Sequence, residues 1–419
     1  MMMKQYDSYK DSGVQWIGKI PSHWKICRFR DLTILQTITS TSDTKIGLEN
    51  IEGKTGKFIE TDSEFEGNGV AFEQGDIVYG KLRPYLQKVW VATFSGNAVG
   101  DFFVFRTQKK CYNRYLFYVM LSDGFTSVCN GATFGAKMPR VSSDFIRSLH
   151  YFIPPYSEQQ TIATYLDKRC EKIDKAIVTQ QKRIDLLGEL RQNIITLAVT
   201  RGINPNAPLK DSNVEWIGEV PEHWEVMKLK RCASIKTGCT PPTKEEKYYD
   251  SEDIDWFTPS DIGCDCIYEA EKRISLNAKR DGVCRMFPAH TVYFVGIGAT
   301  IGKVSFCDIE ASANQQINAI IPNRRAFYKY IAYCLRSQKE EVFLTANTVT
   351  LPIINQDRTG SLLMPVPPYS EQQQIVAHIE KETANLDKAI AKANRQIELL
   401  QELKQSVITE VVTGKRKVF

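Results

Sequence analysis

Residues 154–162 read PPYSEQQTI, and residues 367–375 read PPYSEQQQI. Eight of these nine positions agree at an offset of 213 residues. The same offset carries IDKAI (173–177) onto LDKAI (386–390), and RIDLLGELRQNIIT (183–196) onto QIELLQELKQSVIT (396–409). Paired prolines cannot lie inside a helix, because each lacks an N–H and its ring clashes with the preceding turn. Each PPYSEQQ therefore marks the start of a long proline-free segment. Ser157 with Gln160, and Ser370 with Gln373, have the spacing of a capping box, in which each side chain satisfies the other residue's backbone N–H. Gly202 and Pro205 are stop signals for the first segment.

Within these segments the apolar period is 3.5 residues. Leu166, Cys170, Ile173, Ile177, Gln180, Ile184, Leu187, Arg191, Ile194 and Ala198 are spaced alternately by four and three. Their counterparts are Ile379, Thr383, Leu386, Ile390, Ala393, Ile397, Leu400, Lys404, Val407 and Val411. This is the a/d stripe of a coiled coil. About 30 residues of it span about 45 Å. The stripe predicts that the two helices pair with each other, antiparallel, so that a pseudo-two-fold axis relates the copies and the coil holds two modules at its ends. The plainer alternative is that each helix packs only on its own domain. Arg191 and Lys404 are polar seam residues at equivalent positions, suited to fixing register or facing a third partner.

A second repeat precedes each module: DSGVQWIGKIPSHW (11–24) matches DSNVEWIGEVPEHW (211–224) at nine of fourteen positions, with an offset of 200. The middles between these frames match poorly and differ in length by 13 residues, the difference between the two offsets. Each contains short β-branched and aromatic runs bounded by Gly, Asn and Pro. These are GDIVYG (75–80), KVWVAT (88–93) and DFFVFRT (101–107) in the first, and TVYFVG (291–296), KVSFCD (303–308) and NAIIPN (318–323) in the second. A helical stretch follows each set, at 113–122 and 327–337, and then a small insertion, KMPRVSSDF (137–145) or TLPIINQDR (350–358). The expected fold class is α+β: two tandem modules of mixed strand and helix, separated by two long helices that form an antiparallel coiled coil. His23-Trp24 and His223-Trp224 recur in both frames, which points to a packing role with a polar ring tip beside a buried indole.

Composition narrows the function. The 419 residues are 42% hydrophobic and 25% charged, a soluble globular balance, and too many for one ordinary domain. No stretch has the length and apolarity of a membrane span, and the N-terminus does not resemble a secretory signal, so a cytoplasmic location is expected. The eleven cysteines then read as reduced thiols, with no C-x-x-C pair and no metal-ligand spacing, and metal sites are expected to be none. A net charge of +5 permits nucleic-acid binding without demonstrating it. VGIGATIG (295–302) has G-x-G-x-x-x-G spacing and is followed by a strand-like run, so it is not a dinucleotide loop. IPPY (153–156) and VPPY (366–369) resemble a methyltransferase motif but carry Ile or Val where an Asp or Asn would bind the amine. They read as helix-start turns.

WIGKIPSHW and WIGEVPEHW ahead of each module, PPYSEQQ opening each long helix, and YGKLRPY (79–85) together resemble the specificity subunit of type I restriction–modification systems over essentially the whole chain. The resemblance implies target recognition domains at 1–155 and 206–368, with helical spacers at 156–205 and 369–419. It implies a non-catalytic subunit that reads a split, asymmetric double-stranded DNA target, one half per domain, with the coil setting the spacer. Two modification subunits would dock on it and carry S-adenosylmethionine for adenine methylation. Restriction subunits would use ATP and Mg. No cofactor and no catalytic residue is expected in this chain, and no membrane partner.

Residue type and loop position select candidate DNA contacts, since Arg, Lys, Asn and Gln read base edges while Lys, Ser and Thr hold phosphates. They are Lys81, Arg83, Tyr85, Lys137 and Arg140 in the first module, and Thr240, Lys244, Thr258, Ser260, Asn314 and Gln315 in the second. Two other classes remain as competitors. A protein-binding scaffold predicts no salt-dependent DNA binding, and an enzyme with an unrecognised site predicts activity from the chain alone.

Overall fold

A computed structural model describes the chain apart from residues 1–4, 15–16, 41–42, 136, 339–340, 344–345 and 347–351. Parts of the first start segment (15–16) and of the second insertion (350–351) thus lie outside the described residues. The chain divides into two compact units, residues 1–182 with 394–419, and residues 183–393. The long helices run Tyr156–Arg201 and Tyr369–Val412, 46 and 44 residues. At ~1.5 Å per residue they are about 69 and 66 Å long, more than the heptad stripe alone suggested. Among the described residues no helix is long and apolar enough to cross a membrane.

Each unit repeats one architecture. In the first, an antiparallel sheet has the order Thr33–Gln36, Phe102–Thr107, Ile77–Gly80, Val89–Val91. In the second the order is Ala233–Thr237, Ile317–Pro322, Thr291–Val295, Val304–Cys307. The central strands are buried on both faces, and their alternating residues enter different cores. Ile77 and Tyr79 join the core that includes the long helices, while Val78 joins a second core beneath a smaller sheet. Val292 and Phe294, against Tyr293 and Val295, divide in the same way. Each smaller sheet contains one parallel pair, Gly96–Ala98 with Lys45–Ile46 and Ile254–Phe257 with Ala311–Ala313. The strand after each His-Trp pair closes its module by pairing with the strand that leads into the long helix: Lys25–Arg28 with His150–Ile153, and Glu225–Lys228 with Leu363–Val366.

The long helices do both things the sequence leaves open. Their ends belong to module cores. Ile162, Ala163 and Leu166 from the first helix, and Val407, Ile408, Val411 and Val412 from the second, are buried in the first unit with Trp24, Phe29 and Leu116. In the second unit Ile195, Ala198 and Val199 are buried with Ile375, Val376, Ile379 and Trp224. Their middles pair as an antiparallel coil. Ile173, Ala393, Val407 and Val411 are buried, and Ile177, Ile184, Leu187, Ile194, Leu386, Ile390, Ile397 and Leu400 are half-buried. A coil of only two helices covers its seam from one side, which accounts for the half-burial.

The two polar seam residues make the same contact, once in each unit. Lys404 Nζ lies 2.8 Å from Asp174 Oδ1, and Arg191 Nε lies 2.9 Å from Asp387 Oδ1. Asp174 and Asp387 are themselves one offset of 213 apart. Lys404 is buried and Arg191 half-buried, and a cation held in the seam meets its carboxylate at one register only, so the pairs fix the alignment that the leucines alone would leave loose.

PPYSEQQ has a different job from the capping box expected of it. The helices begin at Tyr156 and Tyr369, so Ser157 and Ser370 are second helical residues rather than caps. The Pro155 carbonyl accepts from the backbone N–H groups of Glu158 and Gln159. Gln159 then ties the helix start to the module: Nε2 donates to the Pro154 and Lys110 carbonyls (both 3.0 Å), and Oε1 accepts from Tyr112 N (2.8 Å). Gln372 repeats this with Pro367, Arg325 and Phe327. Glu158 accepts from Trp24 Nε1 (3.0 Å) and Tyr6 Oη (2.6 Å) and lies 2.8 Å from His23 Nε2. Glu371 lies 3.2 Å from Trp224 Nε1 and 2.8 Å from His223 Nε2. The repeated His-Trp pairs are indeed framework residues, and the glutamates are their partners.

Two outcomes test this arrangement. Replacing Ile408 and Val411 with alanine leaves cavities that cost about 2–5 kcal/mol for the isoleucine alone. Hydrogen exchange should show weakened protection in Asn113–Met120 but none of that weakening in Tyr328–Ser337, although the substitutions lie near the chain's far end. Asp174→Ala should cost about 3 kcal/mol in urea unfolding by stranding a buried ammonium. Adding Lys404→Met should restore most of that stability.

Candidate nucleic-acid interface

In the first module two segments far apart in sequence form one surface. Arg83 N donates to the Pro139 carbonyl (2.8 Å), and Val141 N donates to that of Lys81 (3.1 Å). Phe134 and Arg140 exchange backbone hydrogen bonds of 2.9 and 3.0 Å. The loop 81–86 and the segment 137–141 are thereby knitted edge to edge. Arg83, Tyr85 and Lys137 are exposed on this surface beside Phe134 and Met138, which are 61% and 46% exposed. Exposed aromatic and cationic side chains on a backbone-braced loop can stack on or hydrogen-bond to bases and pair with phosphates.

Lys81 and Arg140 sit differently. Arg140 forks onto Asp101, Nε to Oδ1 at 3.0 Å and Nη2 to Oδ2 at 2.9 Å. Lys81 Nζ lies 3.6 Å from Asp101 and 5.6 Å from the centre of the Phe103 ring. The Arg140 guanidinium, through its hydrogen bonds, holds the Asp101 carboxyl below its ordinary range, against a burial effect that raises it. This carboxylate anchors both cations at the rim, where they brace the loops that carry Arg83 and Lys137.

In the second module the same backbone pattern recurs on other residues. Gly298 N donates to the Pro352 carbonyl (3.2 Å) and Ile354 N to that of Gly296 (2.8 Å). Pro139 and Pro352, and Val141 and Ile354, are each 213 apart. The loop Gly296–Gly302, whose spacing fails as a dinucleotide motif, is therefore the counterpart of 81–86, and none of the sequence-chosen candidates lies on it. The signal that points to it is the alignment of KMPR (137–140) with TLPI (350–353). Asn318 holds the segment paired with this loop, its Nδ2 donating to the Ile354 carbonyl (3.2 Å) and Thr359 Oγ1 (3.0 Å).

The six candidates of the second module divide. Thr240, Asn314 and Gln315 are brought together next to that loop. Thr240 Oγ1 donates to Gln315 Oε1, Asn314 Oδ1 accepts from Gln316 N (3.0 Å), and the Gln316 carbonyl accepts from Gly296 N (2.8 Å). Gln315 is exposed, whereas Asn314 is buried. The hydroxyls of Thr258 and Ser260 are engaged by each other and by carboxylates. The Thr258 hydroxyl donates to Asp261 Oδ2 (2.8 Å), and Ser260 Oγ lies 2.7 Å from Thr258 Oγ1 and 3.4 Å from Glu271. Two carboxylates make that corner unsuited to a phosphate. Lys244 is exposed on the segment after Thr240. Among the described residues no group of three His, Cys, Asp or Glu side chains is placed to hold a metal ion.

Residues 221–399 match the family model described as the type I restriction modification DNA specificity domain. The chain is 28% identical over 192 residues to the type I restriction enzyme MjaIX specificity subunit of Methanocaldococcus jannaschii, covering 45% of this chain and 43% of that one. It is 20% identical to the putative MjaX specificity subunit of the same organism over 96% of both chains. The match thus takes in less than half the length of the first relative and nearly all of the second. A chain solved in a study of complex assembly and conformational transition of the type I R-M system shares the fold, with a TM-score of 0.71 and 16% identity over 94% of this chain and 98% of that one. The chain is thus similar to specificity subunits of type I restriction enzymes, and residues 221–399 match the DNA specificity domain of type I restriction–modification systems.

Proposed function

We propose that this chain is the DNA-reading subunit of a type I complex, each module reading one half of a bipartite target in double-stranded DNA. The observation that supports this most is the first module's knitted surface, which presents Arg83, Tyr85 and Lys137 outward while Asp101 braces the cations behind them. The second module builds the same loop frame from unlike residues, so the two halves should differ in sequence. On this reading residues 1–155 and 206–368 are the recognition domains, and 156–205 and 369–419 are the spacers that set the distance between half-sites.

Two modification subunits would dock on the helices, carry S-adenosylmethionine and methylate adenine. Restriction subunits would supply the ATP- and Mg-dependent cleavage, in the cytoplasm. A duplicated apolar feature supports the pair of modification subunits. Leu186 and Leu190, off the seam of the first helix, are 65% and 47% exposed. Their counterparts one offset later, Leu399 and Leu403, are 46% and 40% exposed. Two equivalent patches suit two copies of one partner.

Expressing the chain with its neighbouring methylase in a methylation-free host, and sequencing for N6-methyladenine, should yield one bipartite motif with unlike halves. Exchanging residues 206–368 for another module should change one half only. Absence of new methylation from a soluble, associated pair would turn the reading toward a protein-binding scaffold. In the purified complex, Arg83→Ala with Lys137→Ala should weaken DNA binding. The plot of log affinity against log salt should flatten by about one for each phosphate that the variant no longer neutralises.

A further inference from the structure

The turn that carries Arg83 and Tyr85 is bounded by two residues in the left-handed region, Arg83 at φ +49° and Gln87 at φ +50°. Side chains other than glycine rarely adopt that conformation, and it persists where the surroundings over-determine it. At Gln87 the surroundings are unusually complete. Its side chain is buried, and Nε2 donates to Thr126 Oγ1 (3.0 Å) and Asp123 Oδ1 (3.4 Å). Its carbonyl accepts from the backbone of Lys54 (3.1 Å), itself at φ +65°. Gly53 packs so closely that a Cβ there would stand 2.3 Å from the Leu86 carbonyl oxygen.

The remaining support comes from the coiled coil. Gln405, on the C-terminal helix next to the seam residue Lys404, reaches this network with its carboxamide. In one orientation the amide donates to Gln87 Oε1 (3.1 Å). In the other it donates to the Leu121 carbonyl (3.1 Å) and to Asp123 Oδ1 (3.2 Å), the oxygen that Gln87 also uses. Either way it closes on Gln87 or on the group that holds Gln87. The contact lines a cleft of about 750 Å³ together with Lys54, Lys57 and Asp123, so Gln405 is a contact at a wetted wall and not filler in a core. The equivalent residue of the first helix, Gln192, instead donates to Thr196 one turn along its own helix (3.2 Å).

We propose that Gln405 is a positioning residue for DNA recognition: through Gln87 and Asp123 it holds the Arg83–Gln87 turn in its reading shape, so that the C-terminal helix helps decide which bases the first module accepts. This rests on the reading of the protein as a DNA-specificity subunit. Its role is confined to one module, because Gln192 turns back to its own helix.

The test is methylation mapping of the full chain with its adjacent methylase, after module exchange has assigned each half-site. Gln405→Ala should lower discrimination against single-base changes in the first module's half-site about tenfold, within the range of linked-site coupling. The second half should be unaltered, and Gln192→Ala should alter neither. If Gln405→Ala folds poorly, Gln87→Gly performs the same test, because glycine keeps φ +50° at no steric cost while removing the amide. A wild-type chain that yields no bipartite motif would overturn the functional reading and this proposal with it. A bipartite wild-type motif whose first half is unmoved in the variant overturns the role of Gln405 alone. So does equal relaxation of both halves at an unchanged unfolding midpoint, since a general structural role predicts that and a positioning role does not.

Discussion

The antiparallel contact between the two long helices is the constraint on which the rest of the molecule depends. Neither module can complete its main core from its own repeat. The first needs Val407, Ile408, Val411 and Val412, and the second needs Ile195, Ala198 and Val199. Each of these stretches is the last few turns of the helix that begins at the other module's frame. At about 1.5–3 kcal/mol per buried side chain, the exchanged stretch contributes as much as a small domain's whole net stability. The tandem repeat is thus an architectural requirement of the fold, since one copy supplies what the other lacks.

Charge and backbone devices refine that constraint. The leucines of the seam would tolerate a slip of one heptad, and Lys404–Asp174 and Arg191–Asp387 would not. In the second unit Arg191 also reaches Asp265 of the module (2.9 Å), which in turn pairs with Arg336. In the first unit Lys57 of the module lies 3.8 Å from Asp174. Register of the coil and seating of each module on it are therefore set by shared residues. Two glycines make the helix ends fit. Gly202 (φ +73°) and Gly414 (φ +72°) end their helices against Trp224 and Trp24, and a Cβ at Gly414 would fall 2.3 Å from Pro21 Cδ.

How much of this is legible in the sequence depends on how local its cause is. The seam is legible because a 3.5-residue period needs no knowledge of the partner. The central strands Ile77–Gly80 and Thr291–Val295 are legible because burial on both faces leaves an uninterrupted apolar run. The capping box misleads because Ser157 obeys a local rule that tertiary contacts override: the turn is set by Pro155 and fastened by Gln159. Glu158 gives no local sign of its role because its partners Trp24 and His23 stand more than 130 residues away. Lys81 and Arg140 look like free cations for the same reason, with Asp101 distant in sequence from both. The second module's loop is hidden because its backbone is repeated while its side chains are not, and residue type alone does not point to it.

The hydrogen bond from Tyr115 Oη to the Val412 carbonyl spans 297 positions of chain. A ribosome would have finished the second module's complement of helix, residues 195–199 and 375–379, while the first module still lacked its closing stretch. At roughly 5–20 residues per second, the module made first waits on the order of ten seconds or more after its own strands have emerged, with apolar surface open. Order of synthesis and order of completion are therefore reversed in this chain, and the N-terminal half is the part that most needs shelter before release.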